Sequence, residues 1–215
     1  MKKLLFLMFV VLTGMCITSC SSCGKDAPEP TPQEDEIDVV DTLVVEDIIQ
    51  ADIDDMNDKY IDDPYRWYET DILMMSFLDD EAPEKTVEGV SNTFEVVKTV
   101  EGDGYDTYVI TYSHVSGATA IDEKHAFYVE NIEMTQDMVK LTFDEAFDKA
   151  MQSNFVKPHS RYCTLRLPLG PNKCNVQYIF GNNDSQIYVD AVTGDVTDVN
   201  PAFKGFDMPS MKWSD

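Results

Sequence analysis

The feature that most restricts the fold is an alternating segment, "TFEVVKTVEGDGYDTYVITYSHV", which runs from Thr93 to Val115. Apolar and polar residues alternate on each side of "EGDG" (Glu101–Gly104), a composition typical of a turn. Alternation with a period of two puts successive side chains on opposite faces of a strand. The segment therefore predicts a β-hairpin, and "KHAFYVENIEM" (Lys124–Met134) is expected to add a further strand.

A helical pattern precedes this hairpin, between Leu43 and Tyr60. Its apolar residues recur every three or four positions, which predicts an amphipathic helix: Val45, Ile49, Ile53, Met56 and Tyr60. The acidic residues between them are expected on the outer face: Asp52, Asp54, Asp55 and Asp58. After the break at Pro64, the apolar-rich "DDPYRWYETDILMMSFL" is predicted to form a second helix.

The second half of the chain also places a helix before strands. Thr142 and Glu145 have the spacing of a capping box, in which each side chain bonds the other residue's backbone N–H. Strands are predicted in "YCTLRL", "KCNVQYIF" and "QIYVDAVTGDVTDV", separated by turns at "PLGPN" and "GNNDS". The apolar face of the helix has helical spacing: Phe143, Ala146, Phe147, Ala150 and Met151. These patterns predict an α+β fold in which helices pack on an antiparallel sheet.

The last of these segments carries several acids, but its alternation favours a structural hairpin over a metal-binding loop. Ile187 and Val189 are expected on one face of a strand, and Tyr188 and Asp190 on the other. The turn then falls at Thr193–Gly194, with Gly194 in the positive-φ position that glycine adopts most easily.

Two segments, "FDEAFDKAM" and "IYVDAVTGDV" (Ile187–Val196), resemble the PepSY domain family. The resemblance covers about a third of the chain. It implies a cystatin-like fold, a helix against a curved antiparallel sheet, and an association with the inhibition or chaperoning of peptidases. The hairpin residues that carry it are Tyr188, Val189, Asp190, Thr193 and Gly194. Because residues 41–133 follow the same order of helix and strands, a second cystatin-like unit in tandem is expected there, by analogy of fold alone.

The N-terminal residues are typical of an export signal. Two lysines precede a short apolar run in "MKKLLFLMFVVLTGMCITSC", which is too short for a stable membrane span. "ITSC" resembles the lipobox of bacterial lipoproteins in its Bacteroidetes form, which implies cleavage before Cys20 and acylation of that residue. Cys16 and Cys23 are weaker candidates, and an ordinary cleaved signal is the alternative. The expected location is the cell envelope, at the outer membrane, facing the periplasm or the surface.

These observations divide the chain into five ranges. Residues 1–19 are the expected signal peptide, and residues 20–40 an acidic, proline-rich tether that cannot bury enough apolar surface to order itself. Residues 41–133 form an N-terminal α+β unit, and residues 134–203 the PepSY-like unit. Residues 204–215 form a C-terminal tail.

The cysteines of the second unit suggest a disulfide. Cys163 and Cys174 fall on the apolar faces of adjacent predicted strands, and a turn centred on Pro168–Leu169 would place them opposite each other. An exported protein folds in an oxidising compartment, where such a bond persists. Two buried thiols are the alternative, since a longer loop at 168–172 would shift the register.

The sequence offers little for catalysis or metal binding. Three histidines are present, and His159, near Cys163 and Ser160, has no orienting partner in the sequence and no G-x-S-x-G context. No zinc motif occurs, and "DDMNDKYIDD" (Asp54–Asp63) lacks the glycine and terminal glutamate of a calcium loop. We therefore expect no enzyme, no metal and no cofactor, with weak calcium binding left open.

The net charge of −24 disfavours a nucleic-acid partner, because phosphates would be repelled. The expected function is a lipid-anchored, monomeric, non-catalytic binding or regulatory module for a protein or peptide, in one form a peptidase inhibitor. The alternative is a surface lipoprotein that binds carbohydrate through "PYRWY" (Pro64–Tyr68) and the tail that holds Trp213. Trp67 is expected in the core.

Overall fold

The computed structural model describes residues 43–100, 104–115, 117–127 and 133–205, with the Val100 side chain excepted. Its helices are α1 (Val45–Lys59) and α2 (Phe143–Gln152), with short 3-10 helices at Gln136–Met138 and Pro201–Phe203. The first four strands are β1 (Tyr65–Met74), β2 (Val87–Val100), β3 (Gly104–Val115) and β4 (Ala118–His125). The last four are β5 (Tyr162–Arg166), β6 (Gln177–Asn182), β7 (Ser185–Asp190) and β8 (Val196–Thr197).

All eight strands belong to one antiparallel sheet, in the order β4-β3-β2-β1-β5-β6-β7-β8. The strands β1 and β5 pair at its centre, where Glu69 lies opposite Arg166 and Ile72 opposite Cys163. One hydrophobic core takes side chains from both helices and from the sheet, so the helices pack on the sheet. The predicted α+β class, with helices on an antiparallel sheet, is confirmed.

The start of α2 has the predicted capping box. Thr142 Oγ1 accepts from the Glu145 N–H at 3.2 Å, and Glu145 Oε2 accepts from the Thr142 N–H at 2.9 Å. Both donors would otherwise lack an intrahelical partner. Phe143, Ala146, Phe147 and Ala150 are buried on the predicted face, and Phe143 and Phe147 both lie against Phe180 of β6.

The predicted helix after Pro64 is wrong, because Tyr65–Met74 forms strand β1. A β-bulge between Trp67 and Glu69 leaves Trp67 and Tyr68 both buried. The extra residue interrupts the alternation that would have indicated a strand. Trp67 is 3% exposed, so the prediction that it lies in the core is confirmed.

Other strand limits also differ from the prediction. The strand expected at Lys124–Met134 is misplaced: it overlaps β4 only at Lys124 and His125, where β4 ends. Met134 forms an isolated bridge to Trp67, and residues 128–132 lie outside the described residues. Most of the "EGDG" turn lies outside the described residues. The strand expected at "KCNVQYIF" begins only at Gln177.

Candidate binding surfaces

The predicted hairpin at Ile187–Val196 is built around the Asp190 side chain. Asp190 Oδ1 accepts from the backbone N–H groups of Val192 and Thr193, each at 2.9 Å, and the Gly194 N–H donates to the Asp190 carbonyl at 2.9 Å. Gly194 has a φ of 75°, which confirms the predicted turn position. The carboxylate therefore closes the turn that the glycine permits.

The same carboxylate joins the hairpin to the segment before β6. Asn175 Nδ2 donates to both Asp190 oxygens, at 3.2 and 3.0 Å, and Gln177 Nε2 donates to Oδ2 at 3.3 Å. Burial raises the pKa of Asp190, but the hydrogen bonds from Thr193, Val192, Asn175 and Gln177 outweigh it and leave the pKa below its ordinary value. These contacts therefore stabilise the hairpin and its connection to the start of β6.

The hairpin also holds the start of α2. The Ala191 carbonyl accepts from the N–H groups of Lys140 and Leu141, at 2.8 and 2.9 Å. A Cβ at Gly194 would lie 2.5 Å from Lys149 Cε, so the turn packs closely against α2. Of the other hairpin residues, Tyr188 and Val189 are buried. The predicted hairpin residues thus form a structural joint between β7 and α2.

The predicted register for the Cys163–Cys174 disulfide is wrong, and both thiols are free. Cys163 lies opposite Phe180, and the ladder between β5 and β6 begins at Arg166 opposite Gln177. Cys174 comes three residues before Gln177, on the turn side of that first pair. Cys163 comes three residues before Arg166, at the other end of the ladder. The turn is longer than the prediction assumed, so the cysteines are at opposite ends of the ladder. Burial raises the pKa of both thiols, well above its ordinary value at Cys163.

Cys174 lines a groove with a volume of about 1010 Å³ beside the β5–β6 connection. Lys173 and Cys174 line part of this groove. The apolar side chains that line it include Met138, Leu167, Leu169 and Val176. Val192, in the turn of the Ile187–Val196 hairpin, also faces it. Such a mixed lining suits the apolar side chain of a ligand or partner.

The three histidines lie in different places, and each has a carboxylate partner. His159 Nδ1 is 2.9 Å from Asp79 Oδ1, which supplies the orienting partner that the sequence did not reveal. His159 also stacks on Phe77, with the ring centroids 4.3 Å apart. Ser160 beside it is buried and accepts from its neighbour Tyr162 through the backbone N–H. His159 and Ser160 do not form a nucleophilic pair with Cys163.

His114 belongs to a buried polar network that the sequence analysis missed. Its Nε2 lies 2.9 Å from Asp52 Oδ1, and its Nδ1 lies 3.0 Å from Thr119 Oγ1. Asp52 was assigned to the outer face of α1, but it is 3% exposed. That assignment is wrong because Asp52 follows Ile49 by three positions and precedes Met56 by four, a spacing that puts it on the inner face.

The sheet has a long exposed edge at β4. All eight side chains from Ala118 to His125 are exposed, and no strand in the described part of the chain pairs with its outer side. The Ala126 N–H donates to the Thr107 carbonyl of β3. The backbone groups of Ala126 therefore point inward, to β3. This direction alternates from one residue to the next in an antiparallel ladder. The residues of β4 whose N–H and C=O groups point outward are thus Thr119, Ile121, Glu123 and His125.

Comparisons with known proteins assign no family, because no family model, curated protein or solved structure matches the chain. None of the helices among the described residues is long and apolar enough to cross a membrane. The same residues contain no group of three or more His, Cys, Asp or Glu placed to hold a metal ion. The expected lipidation site, Cys20, and the aromatic tail with Trp213 lie outside the described residues.

Proposed function

We propose that this chain is a non-catalytic binding module that pairs the edge strand β4 with an extended segment of a protein or peptide partner. The observation that carries the proposal is the exposed edge itself, eight residues long and unpaired on its outer side within the described structure. Unpaired N–H and C=O groups on a sheet edge are a template for a further strand. Main-chain hydrogen bonds would then supply affinity.

The charge of the chain favours a cationic partner. A net charge of −24 attracts lysine- and arginine-rich segments and repels phosphate backbones. At the edge, Lys124 pairs with Asp122 and Lys98 of β2 pairs with Glu123, so the local cations are already bound to carboxylates. A partner strand with basic side chains would therefore meet little repulsion at β4.

The order of elements supports the two cystatin-like units in tandem that we expect by analogy of fold. A helix followed by four antiparallel strands occurs twice, as α1 with β1–β4 and as α2 with β5–β8. The sheet order runs outward from β1 and β5 in the same way on both sides. In such an arrangement the edge β4 belongs to the first unit and the PepSY-like hairpin to the second. A peptidase is one partner that this resemblance suggests.

We also propose the setting in which this module works. The N-terminal signal and the lipobox-like "ITSC" support export to the cell envelope and acylation at Cys20, with residues 20–40 as the tether to the membrane. The high negative charge supports a monomer, because like-charged copies repel each other.

Carbohydrate binding through aromatic side chains is less well supported. Trp67, the central aromatic residue of the "PYRWY" segment, is 3% exposed, and its Nε1 donates to Thr70 Oγ1 at 3.2 Å. A buried indole offers no face on which a sugar ring could stack. A buried Trp67 together with an open sheet edge favours a protein or peptide.

The test is affinity capture from cell-envelope extract with the full chain and with two variants at one position. Ile121→Pro removes an outward N–H, whereas Ile121→Ala removes the same side chain and keeps that N–H. Proline at an outward position spares the bonds to β3, and the melting temperature of each variant checks that both still fold.

We expect a protein that binds the wild type and Ile121→Ala but is lost with Ile121→Pro. Cross-linking of that protein to β4 would then identify the partner segment. If every captured protein binds all three forms equally, β4 is not the docking strand.

A further inference from the structure

A hydroxyl, an imidazole and a carboxylate are hydrogen-bonded in a row, from Thr119 on β4 through His114 on β3 to Asp52 on α1. Thr119 Oγ1 lies 3.0 Å from His114 Nδ1, and His114 Nε2 lies 2.9 and 3.0 Å from the two oxygens of Asp52. We propose that Thr119 is a base-activated hydroxyl that accepts an acyl group from an activated ester, a reactivity that goes beyond the proposed peptide binding.

The hydrogen bonds around Asp52 fix the orientation of the imidazole. Asp52 is 3% exposed, and its Oδ2 also accepts from Asn92 Nδ2 at 2.7 Å. Asn92 Oδ1 in turn accepts from the Thr70 hydroxyl at 2.5 Å, and the Trp67 indole donates to the same hydroxyl oxygen. The carboxylate is therefore held in place by donors from two strands.

This arrangement decides which ring nitrogen carries the proton. An ionised carboxylate only accepts hydrogen bonds, so His114 Nε2 donates to Asp52. When the ring is uncharged, its lone pair therefore lies on Nδ1, which faces Thr119. The Thr119 hydroxyl donates its proton to that lone pair, as a nucleophile does when a base activates it.

The hydroxyl is also accessible to a substrate. Thr119 is exposed on the edge strand, while the His114 side chain is 16% exposed behind it. A dissolved ester can therefore reach the Thr119 hydroxyl from the open side of the edge strand.

The step needs only the ester and this chain. Thr119 Oγ1 attacks the ester carbonyl, and its proton passes to His114 Nδ1. The bond from the carbonyl carbon to the alcohol oxygen breaks, and His114 returns the proton to that leaving oxygen. Thr119 ends as an acyl ester, and the alcohol is released.

The test treats the full chain with p-nitrophenyl acetate. Release of p-nitrophenolate gives the rate, and peptide mass mapping locates the acetyl group. We expect acetylation of Thr119 in the wild type and in Thr119→Ser, and none at position 119 in Thr119→Val. Asp52→Asn should slow acetylation of Thr119 about a hundredfold or more, since general-base catalysis contributes 10²–10⁴-fold.

Two controls separate this reaction from background chemistry. Thr99→Val removes another exposed threonine, on β2, and should leave the rate at Thr119 unchanged. Circular dichroism checks that Asp52→Asn is folded, and Thr119→Val keeps the test decisive if it is not. The proposal is overturned if the acetyl group is found only on lysines or Cys174, or if folded Asp52→Asn acetylates Thr119 as fast as the wild type.

Discussion

Glu46 of α1 caps the first turn of α2, where its Oε1 accepts a hydrogen bond from the Phe143 N–H at 2.6 Å. Thr142 and Glu145 satisfy two other backbone donors at the same helix end. A carboxylate at a helix N-terminus also interacts favourably with the helix dipole. The two helices are therefore joined by a charged contact between residues 97 positions apart.

Glu46→Ala should reduce the free energy of unfolding by about 1 kcal/mol, within the 0.5–2 kcal/mol typical of a lost N-terminal cap. Urea unfolding followed by circular dichroism measures the change. Asp47→Ala is the matched control, because Asp47 is the adjacent acid of α1 and is exposed. Equal losses for the two variants would show that the Glu46 contact contributes no stability of its own.

Asp190→Ala should be more damaging, with a loss of about 2–4 kcal/mol. The substitution leaves the turn amides of Val192 and Thr193 and the side-chain amide of Asn175 without their acceptor. Asp195→Ala is the control, since it alters an acid in the same hairpin whose side chain lies outside this network. The measurement is again urea unfolding, and a loss no greater than that of Asp195→Ala would contradict the role given to Asp190.

The Asp190 contribution should also depend on pH. The pKa of Asp190 is lower in the folded chain than the ordinary aspartate value of about 3.9. Its stabilisation is thus fully present above about pH 4 and is lost as the pH falls through the lower, folded value. We expect the stability difference between the wild type and Asp190→Asn to be constant from pH 5 to 7 and to shrink below pH 4. A difference that grows in acid would reverse the sign of the shift.

Gly194→Ala and Gly117→Ala should cost similar amounts of stability. Both glycines have a positive φ, near 75°, so each substitution incurs a backbone cost of about 1 kcal/mol. A Cβ at Gly117 meets no atom within 4 Å, and the three atoms nearest to one at Gly194 belong to the outer end of the exposed Lys149 side chain, which can move aside. Urea unfolding measures both losses, and a double-mutant cycle of Gly194→Ala with Lys149→Ala should show a coupling close to zero. A large coupling would show that Lys149 is held in place over the turn.

The two cysteines among the described residues should differ in reactivity. Cys174 is partly exposed in the groove, whereas Cys163 is 1% exposed, and burial raises its thiol pKa further. Iodoacetamide without reductant should modify Cys174 in the native chain and Cys163 only after unfolding. Peptide mass mapping measures this, with Cys16, Cys20 and Cys23 replaced by serine. Failure to alkylate either residue without reductant, even when unfolded, would instead indicate a disulfide.

Local patterns predicted much of this fold. The capping box at Thr142, the apolar face of α2 and the turn at Gly194 depend on neighbours within a few residues, and each is found in the structure. The strand β1 was missed because the bulge at Tyr68 breaks its alternation. The cysteine register failed because loop length, which no local pattern determines, sets the pairing of β5 with β6.

The candidate sites depend more on distant contacts. Asp52 and His114 are 62 residues apart, and only the packing of α1 on the sheet brings them together. The spacing of Asp52 on α1 already indicated an inward position, although nothing in the sequence indicated its partner. The edge position of β4 likewise depends on the order in which all eight strands pair. No local sequence pattern indicates that order.

The most direct test of the proposed function is amide hydrogen exchange on β4 with a synthetic basic peptide of alternating valine and lysine. We expect slower exchange at the outward amides of Thr119, Ile121, Glu123 and His125 when the peptide is added, and no such effect in Ile121→Pro. The inward amides of Ala120 and Asp122, bonded to β3, should change little. Protection confined to other parts of the sheet, or equal protection in Ile121→Pro, would contradict strand addition at this edge.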